Sequence, residues 1–273
     1  MPWMRSVVAV PARLESARLP GKVMADIGGQ PMLRRVLDRC ARAGTEAVVL
    51  CTDSEELRRA AGTWGYPVLM TSAACTSGSE RLASVVEELV ELAGGSAAQG
   101  LSGEGTEPLE RFRSTVIINV QGDQPFIDPA VITAMAAEFQ GRNPAPEVLT
   151  PVYRMGEEKV HNPNVVKTLL AADGRALYFS RSAVPHVRDQ HPDVWHLHAP
   201  YWGHVGIYGY RADVLARWAH LPHSPLEHTE KLEQLRLIEA GVEIGTFPVE
   251  GESLSVDTPE QLEQARAIAE EIG

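Results

Sequence analysis

The chain has 273 residues, 44% hydrophobic and 22% charged, which gives room for one large soluble domain or for a domain carrying a lobe. Its net charge of −11 speaks against a broad surface for nucleic acid or anionic membrane, so an anionic ligand must be held by a local cluster of cations. The scattered cysteines Cys40, Cys51 and Cys75 share no CxxC spacing and speak against a disulfide framework, no apolar run is long enough for a membrane span, and the opening stretch lacks the form of a signal peptide, so a reducing, cytoplasmic setting is expected.

In chain order, "RSVVAVPAR" reads as a buried strand, rich in β-branched residues and without polar alternation. "QPMLRRVLDRCARAG" has helical spacing, with Met32, Val36 and Cys40 on one face, Leu33 and Leu37 beside it, and Gly44 at the end. A second buried strand, "EAVVLCTD", leads into a helix opened by Ser54; "YPVLMTS" follows as a short strand. "GSERLASVVEELVELAG" reads as one helix and "STVIINVQGD" as a fourth buried strand. Residues 94–108, small, polar and rich in glycine, read as a flexible surface insertion. Such alternation predicts a parallel sheet with helices on both faces, whose ligands sit beyond the carboxyl ends of the strands. Beyond residue 146 the pattern changes to antiparallel strands: "EVLTPVYRM", then "NVVKTLLAADGRALYFS" with its Asp-Gly turn, then "HVGIYGYR". Helices at 211–221 and 228–240, a strand "VEIGTFPV" and a last helix entered at Thr258-Pro259 complete the chain. The expected division is a ligand-binding α/β core over 1–146, a β-rich lobe over 147–210 and a return to the core over 211–273.

Three cations, Arg13, Arg18 and Lys22, stand on the loop after the first strand, where Pro11 ends the apolar run. The loop has neither GxGxxG nor P-loop spacing. Guanidinium forks and an ammonium in that place suit phosphate oxygens, although basic surface loops are common. With four lysines against twenty-one arginines, Lys22 and Lys167 carry more weight than an average lysine. Asp123, beside Gly122 at the end of a buried strand, suits a hard cation such as Mg²⁺ shared with phosphate, and Asp257 approaches it if the last helix packs back on the sheet. Asp128 reads as a helix cap, and either Asp123 or Asp257 alone would read the same way. His196, His198 and His204 lie close in sequence without a further fixed ligand, which gives zinc little support.

Eight stretches in order, "PARLESARLPGK", "TSGSERLA", "NVQGDQP", "NPNVVK", "ALYFSRSAVP", "HVGIYGYR", "SPLEHTEKLEQLR" and "VDTPEQLEQAR", resemble the 3-deoxy-manno-octulosonate (Kdo) cytidylyltransferases, also called CMP-Kdo synthetases. The resemblance covers nearly the whole chain outside residues 94–113 and 186–200. It implies a Rossmann-like, mostly parallel sheet flanked by helices, of the nucleotidyltransferase (GT-A-like) kind; the antiparallel, aromatic-rich strands of the 147–210 lobe ("ALYFS", "YWGHVGIYGY"), read as exposed outside the main sheet, are expected to form the interface of a homodimer. The resemblance implies that an oxygen of a small anionic acceptor attacks the α-phosphorus of CTP and pyrophosphate leaves. Arg13 and Lys22 would then bind triphosphate, and Arg18 would assist at the leaving pyrophosphate. Pro11, Ser77, Gly78, Arg81 and Gln121 would line the nucleotide, and Asp123 and Asp257 would hold Mg²⁺. On the acceptor side it implies Gln121, Arg181, His204, Tyr208, Glu233 and Gln234. Departures are Leu14-Glu15 where the family commonly has Tyr-Ala, Gln124 where it has Glu, and the histidine-rich stretch 186–200. They fall on the acceptor side, so Kdo and a small phosphonate acid of the phosphonoformate type both stay open there. A non-catalytic nucleotide-binding relative would have been free to lose Lys22, Asp123 and Asp257, and a metal-dependent glycosyltransferase would more often show Asp-x-Asp than "QGDQP".

Overall fold

The computed structural model describes residues 3–16, 18–94, 108–251 and 253–272, so most of the stretch read as a flexible insertion lies outside the described residues. The strands are β1 (Arg5–Pro11), β2 (Asp26–Ile27), β3 (Gln30–Pro31), β4 (Ala47–Thr52), β5 (Val68–Met70), β6 (Thr115–Asn119), β7 (Val148–Arg154), β8 (Lys167–Leu170), β9 (Ala176–Ser180), β10 (Trp202–His204), β11 (Tyr208–Arg211) and β12 (Ile244–Pro248). The helices are α1 (Met32–Ala41), α2 (Glu55–Thr63), α3 (Gly78–Ala83), α4 (Val86–Gly94), α5 (Pro108–Arg113), α6 (Pro129–Gly141), α7 (Glu157–Val160), α8 (Trp195–His198), α9 (Ala212–Ala216), α10 (Pro225–Glu230), α11 (Gln234–Glu239) and α12 (Pro259–Ile272).

Ten strands form one mixed sheet in the order β5-β4-β1-β6-β11-β7-β10-β8-β9, with β12 added to β7; β2 and β3 make a separate ribbon. β1 runs parallel to both β4 and β6, and its last six residues are buried, as its uninterrupted apolar sequence requires. α1 buries Met32, Leu33, Val36, Leu37 and Cys40 against the sheet. Ser54 and Asp128 cap α2 and α6 by accepting from Leu57 and Ala130 backbone N–H groups, each contributing about 1 kcal/mol. One apolar cluster gathers around α1 and α6 and a second around α4 and α9; a third joins the β2–β3 ribbon to α12. No helix among the described residues is long and apolar enough to cross a membrane.

Elements that differ from the sequence expectation include the helix read at 228–240, which is split into α10 and α11 around Lys231 in a left-handed conformation (φ 56°). Residues 78–94 form two helices, because Ser84 turns its hydroxyl back to the Arg81 carbonyl (2.7 Å) and Val85 bonds Leu82 in a tighter turn. The strand read over "HVGIYGYR" is interrupted at Val205–Ile207, where Thr150 Oγ1 donates to the Ile207 carbonyl (2.8 Å) in place of a ladder bond. The interruption divides the strand's labour: β11 pairs with β6 of the first half, whereas β10 pairs with β8 and so with the β8–β9 hairpin. The strands of 147–210 therefore extend the main sheet beyond β6, each antiparallel to the neighbour it joins, rather than forming a sheet of their own. The stretch 186–200 is not a featureless loop but holds α8, anchored by buried Trp195.

Candidate active site

The carboxyl ends of β1 and β6 open onto a cavity of about 420 Å³. The loop after β1 delivers its cations there because Gly21 takes a left-handed conformation (φ 69°) and Val23 is buried one residue beyond Lys22. Lys22 Nζ, on a side chain only 12% exposed, donates to Asp123 Oδ2 (2.6 Å), Asp257 Oδ1 (2.9 Å) and the Val256 carbonyl (3.1 Å). Arg18 reaches the same Asp257 oxygen at 3.0 Å. Burial works against the Lys22 charge, but Asp123 and Asp257 outweigh it and raise its pKa above the usual lysine value.

Asp257 is brought to Asp123 by backbone: the Val256 N–H donates to the Asp123 carbonyl (2.9 Å). A reciprocal cap then fixes the start of α12, with Gln261 Oε1 accepting from the Asp257 and Thr258 N–H groups (2.8 and 3.1 Å) and Thr258 Oγ1 accepting from Gln261 N–H. An ammonium between the two carboxylates marks the point on which they converge. Two hard carboxylates on one point are a donor set that fits Mg²⁺ completed by phosphate oxygens and water.

The opposite wall is the start of α3. Ser77 caps it, accepting from Glu80 N–H (3.1 Å), while Glu80 accepts from Thr76 N–H and hydroxyl (2.7 and 2.6 Å). A Cβ on Gly78 would lie 3.2 Å from both Gln121 Nε2 and Pro11 Cγ, so glycine there allows α3 to close on the strand ends. Arg81 is buried and clamped by Asp53 Oδ2 (3.0 Å) and the Thr71 hydroxyl. Gln121 donates to Asn119 Oδ1 (2.9 Å).

Pro11, Arg13, Arg18, Lys22, Ser77, Gly78, Arg81, Gln121, Asp123, Glu233 and Asp257 thus all stand around one cavity. His204 and Tyr208 are not on that lining: Tyr208, on β11, pairs with Asn119 across the strands, and its ring lies 5.2 Å from that of His204. Burial dominates their chemistry. The His204 ring, within 3.0 Å of Thr150 Oγ1, is pushed down to about 3, and the Tyr208 hydroxyl, buried without a partner, is pushed well above the tyrosine range. Glu233 is raised by burial against opposing hydrogen bonds from Ser79 and Ser77. A charged histidine at 204, as an anion-binding role would want, does not fit this burial.

Arg181 is not on the cavity lining: its Nε donates to the Glu230 carbonyl (2.9 Å) and its Nη1 to the Pro163 carbonyl (3.2 Å). Gln234 is likewise off the lining, buried at the start of α11. The histidines of 186–200 also lie elsewhere. His186 packs edge-on to Trp195 at 4.6 Å, His196 sits 3.8 Å from Glu157, and His198 is exposed. Lys167 is wholly buried, its ammonium held by the carbonyls of Asn162 (2.8 Å), Val165 (2.7 Å) and Arg181 (2.5 Å); burial lowers it to about 8. Asp53 and Thr71, which hold Arg81, were not singled out from sequence. Asp53 follows β4 at a carboxyl end, the same signal that marked Asp123.

Comparison with known proteins bears on this geometry. The family model described as "Cytidylyltransferase" matches residues 7–92 and 103–244. The chain is 41% identical to the 3-deoxy-manno-octulosonate cytidylyltransferase of Leptothrix cholodnii, covering 97% of this chain and 92% of that protein. It is 38% identical to the protein of the same name from Myxococcus xanthus, over 97% and 96%. Among solved structures, CMP:2-keto-3-deoxy-manno-octonic acid synthetase complexed with CTP superposes with a TM-score of 0.83 at 34% identity, over 98% of this chain and 100% of that one.

Proposed function

The chain belongs to the cytidylyltransferase family and is a CTP-dependent nucleotidyltransferase; from that premise we propose that its acceptor is 3-deoxy-manno-octulosonate and its product CMP-Kdo. The observation that carries this reading is a division of charge: a cavity floor where charges gather, and a wall made by Glu233 on the lining with Tyr208 and His204 off it, whose groups desolvation drives toward their uncharged forms. The floor suits triphosphate. The wall suits a polyhydroxy acid, recognised through hydroxyl hydrogen bonds, better than a compact dianion. The names of the relatives point the same way. The phosphonate acceptor finds no support, since of the histidines that favoured it His186 packs on Trp195, His196 faces Glu157 and His198 is exposed, all off the cavity lining.

In the proposed mechanism an acceptor oxygen attacks the α-phosphorus, a new P–O bond forms, and the bond to the β-phosphate's bridging oxygen breaks with its electrons on pyrophosphate. Such transfer needs positioning and charge neutralisation more than covalent chemistry. Arg13 and Lys22 hold the triphosphate, and Arg18 balances charge on the departing pyrophosphate. Asp123 and Asp257 hold Mg²⁺, which when bound neutralises phosphate charge. Lys22 exchanges its carboxylate partners for phosphate oxygens as CTP enters. Arg81, fixed by Asp53 and Thr71, and the backbone around Ser77 and Gly78 face the cytosine; Gln121, Tyr208, His204 and Glu233 face the acceptor. Arg181 and Lys167 act behind that wall, tying the ends of β8 and β9 to the Asn162–Val165 turn and to Glu230. The segment 147–210 is the subunit contact of a homodimer, a reading supported by the exposed Leu177 and Leu197 on it and by β9 at the sheet edge. Light scattering that finds a monomer at micromolar concentration rejects the dimer. Mass spectrometry of a reaction holding CTP, Mg²⁺ and Kdo tests the activity: CMP-Kdo is the expected product, and unreacted Kdo, with enzyme that forms a CMP conjugate in a parallel reaction holding another acceptor, overturns the choice of acceptor.

A further inference from the structure

Two cavities away from the active site are rich in arginine, and they differ in how that charge is balanced. Between α5 and α9, Arg113, Arg211 and Arg217 each pair with Asp213 or Glu147, the closest contact being 2.5 Å. The second cavity, about 390 Å³, lies between α1 and the C-terminal end of α12 and is lined by Arg35, Arg39 and Arg42. Their spacing of four and three places all three on one helix face.

No carboxylate among the described residues forms an ion pair with any of these three. Asp38, which shares the cavity, is engaged on its other side: its oxygens lie 2.7 Å from the Tyr66 hydroxyl and 3.7 Å from Arg34 Nε. Two guanidiniums are instead fixed by neutral carbonyls, Arg35 by Ile27 (2.9 Å) and Arg39 by Ile127 (2.6 Å), which orients them without cancelling charge. Arg35 Nε is buried and has no acceptor. Burial, then the neighbouring charges of Arg42 and Arg35, lower the Arg39 pKa against the opposing pull of Asp128. The β2–β3 turn closes over this group because Gly28 (φ 60°) has no side chain; a Cβ there would meet Arg35 Nη2 at 2.9 Å and Ala269 Cβ at 3.0 Å. A chain of net charge −11 has thus gathered around one opening three guanidiniums that pair with no carboxylate among the described residues, two of them oriented by carbonyls and the third, Arg42, exposed at the rim.

We propose that this cavity is a second, non-catalytic site for a small phosphorylated anion, held through guanidinium forks by Arg35, Arg39 and Arg42. Forks of this kind match phosphate oxygens, and the volume admits more than one phosphate group. The same chemistry is offered by free pyrophosphate and by the phosphate chain of a nucleotide.

Calorimetric titration of the full chain with inorganic pyrophosphate tests it. Two binding events are expected, one at the active site and one at the arginine cavity. Arg42→Gln, at an exposed position, weakens one event about tenfold and leaves the other, together with turnover at saturating substrates, unchanged. Arg39→Gln combined with Arg42→Gln abolishes that event; since Arg39 also ties down Ile127, Arg42→Glu provides a charge reversal that leaves this tie intact and must have the same effect. Titration with CTP separates the sources: two events point to a nucleotide, one event to free pyrophosphate. A single pyrophosphate event in the unmodified protein, or two events that both survive the Arg42 changes, overturns the proposal.

Discussion

The floor and the wall of the active site bury ionisable groups to opposite effect. On the floor, Lys22 is largely buried yet keeps its charge, because Asp123 and Asp257 stand within 2.6 and 2.9 Å. On the wall, Tyr208 is buried and His204 and Glu233 are half-buried, with no opposite charge beside them among the described residues, and desolvation drives each toward its neutral form. Low dielectric strengthens a paired charge and expels an unpaired one, so the same depth yields an electrostatic clamp in one place and a set of neutral hydrogen-bonding groups in the other. The proposed substrates, CTP and a polyhydroxy acid, call for two surfaces of these kinds.

The sharpest way to break the contrast is to strip the floor of its carboxylates. Asp123→Asn or Asp257→Asn is expected to lower turnover a hundredfold or more, of the order of about 10²–10³, with the circular dichroism spectrum retained. Pyrophosphate release at saturating Mg²⁺ measures it, and near-normal activity of either variant removes that residue from the metal site. Lys22→Met comes next. It leaves two carboxylates facing each other and takes a cation from the triphosphate, so KM for CTP should rise by about tenfold to a hundredfold, with KM for the acceptor little changed. Lys22→Arg should not restore it, since a planar fork cannot replace a point charge between two carboxylates.

The wall answers to pH. His204 has a folded pKa lowered to about 3 from an ordinary 6.5, so its contribution to stability is complete above pH 6.5 and is lost as pH falls through that window toward 3. Within it, the loss attributable to this group has a slope of at most about 1.4 kcal/mol per pH unit. Denaturant unfolding at several pH values should therefore show a shallower acid loss in His204→Phe than in the unmodified chain; parallel curves contradict a buried neutral histidine. The smallest effect belongs to the histidines off the site. His196→Ala and His198→Ala should change kcat/KM for CTP and for the acceptor less than about twofold, an exposed or half-buried surface change carrying little; a larger effect confined to the acceptor brings the 186–200 segment back to the site.

Much of the floor was legible in the sequence, because parallel strands write themselves as apolar runs and their carboxyl ends mark where ligands sit. β1, α1, β4 and β6 followed from that pattern, as did the caps at Ser54 and Asp128. The approach of Asp257 to Asp123 was legible as a consequence of the last helix packing back on the sheet, but the meeting of both with Lys22, over separations of 101 and 235 residues, was not; nothing local encodes the Val256-to-Asp123 backbone bond that makes it. Arg181 shows the same limit. Only the resemblance put it on the acceptor side, and Glu230, 49 residues away, decides where the side chain goes. The break at Val205–Ile207 was hidden because Thr150, the residue that fills it, belongs to another strand.

The central claim, that this floor and wall serve cytidylyl transfer to Kdo, is tested most directly by specificity constants for pyrophosphate release from CTP across Kdo, other sugar acids and small phosphonates. The account predicts that Kdo has the highest kcat/KM of the panel and that the phosphonates support release at background level. A phosphonate that exceeds Kdo, or release that is equal with and without any acceptor, contradicts it.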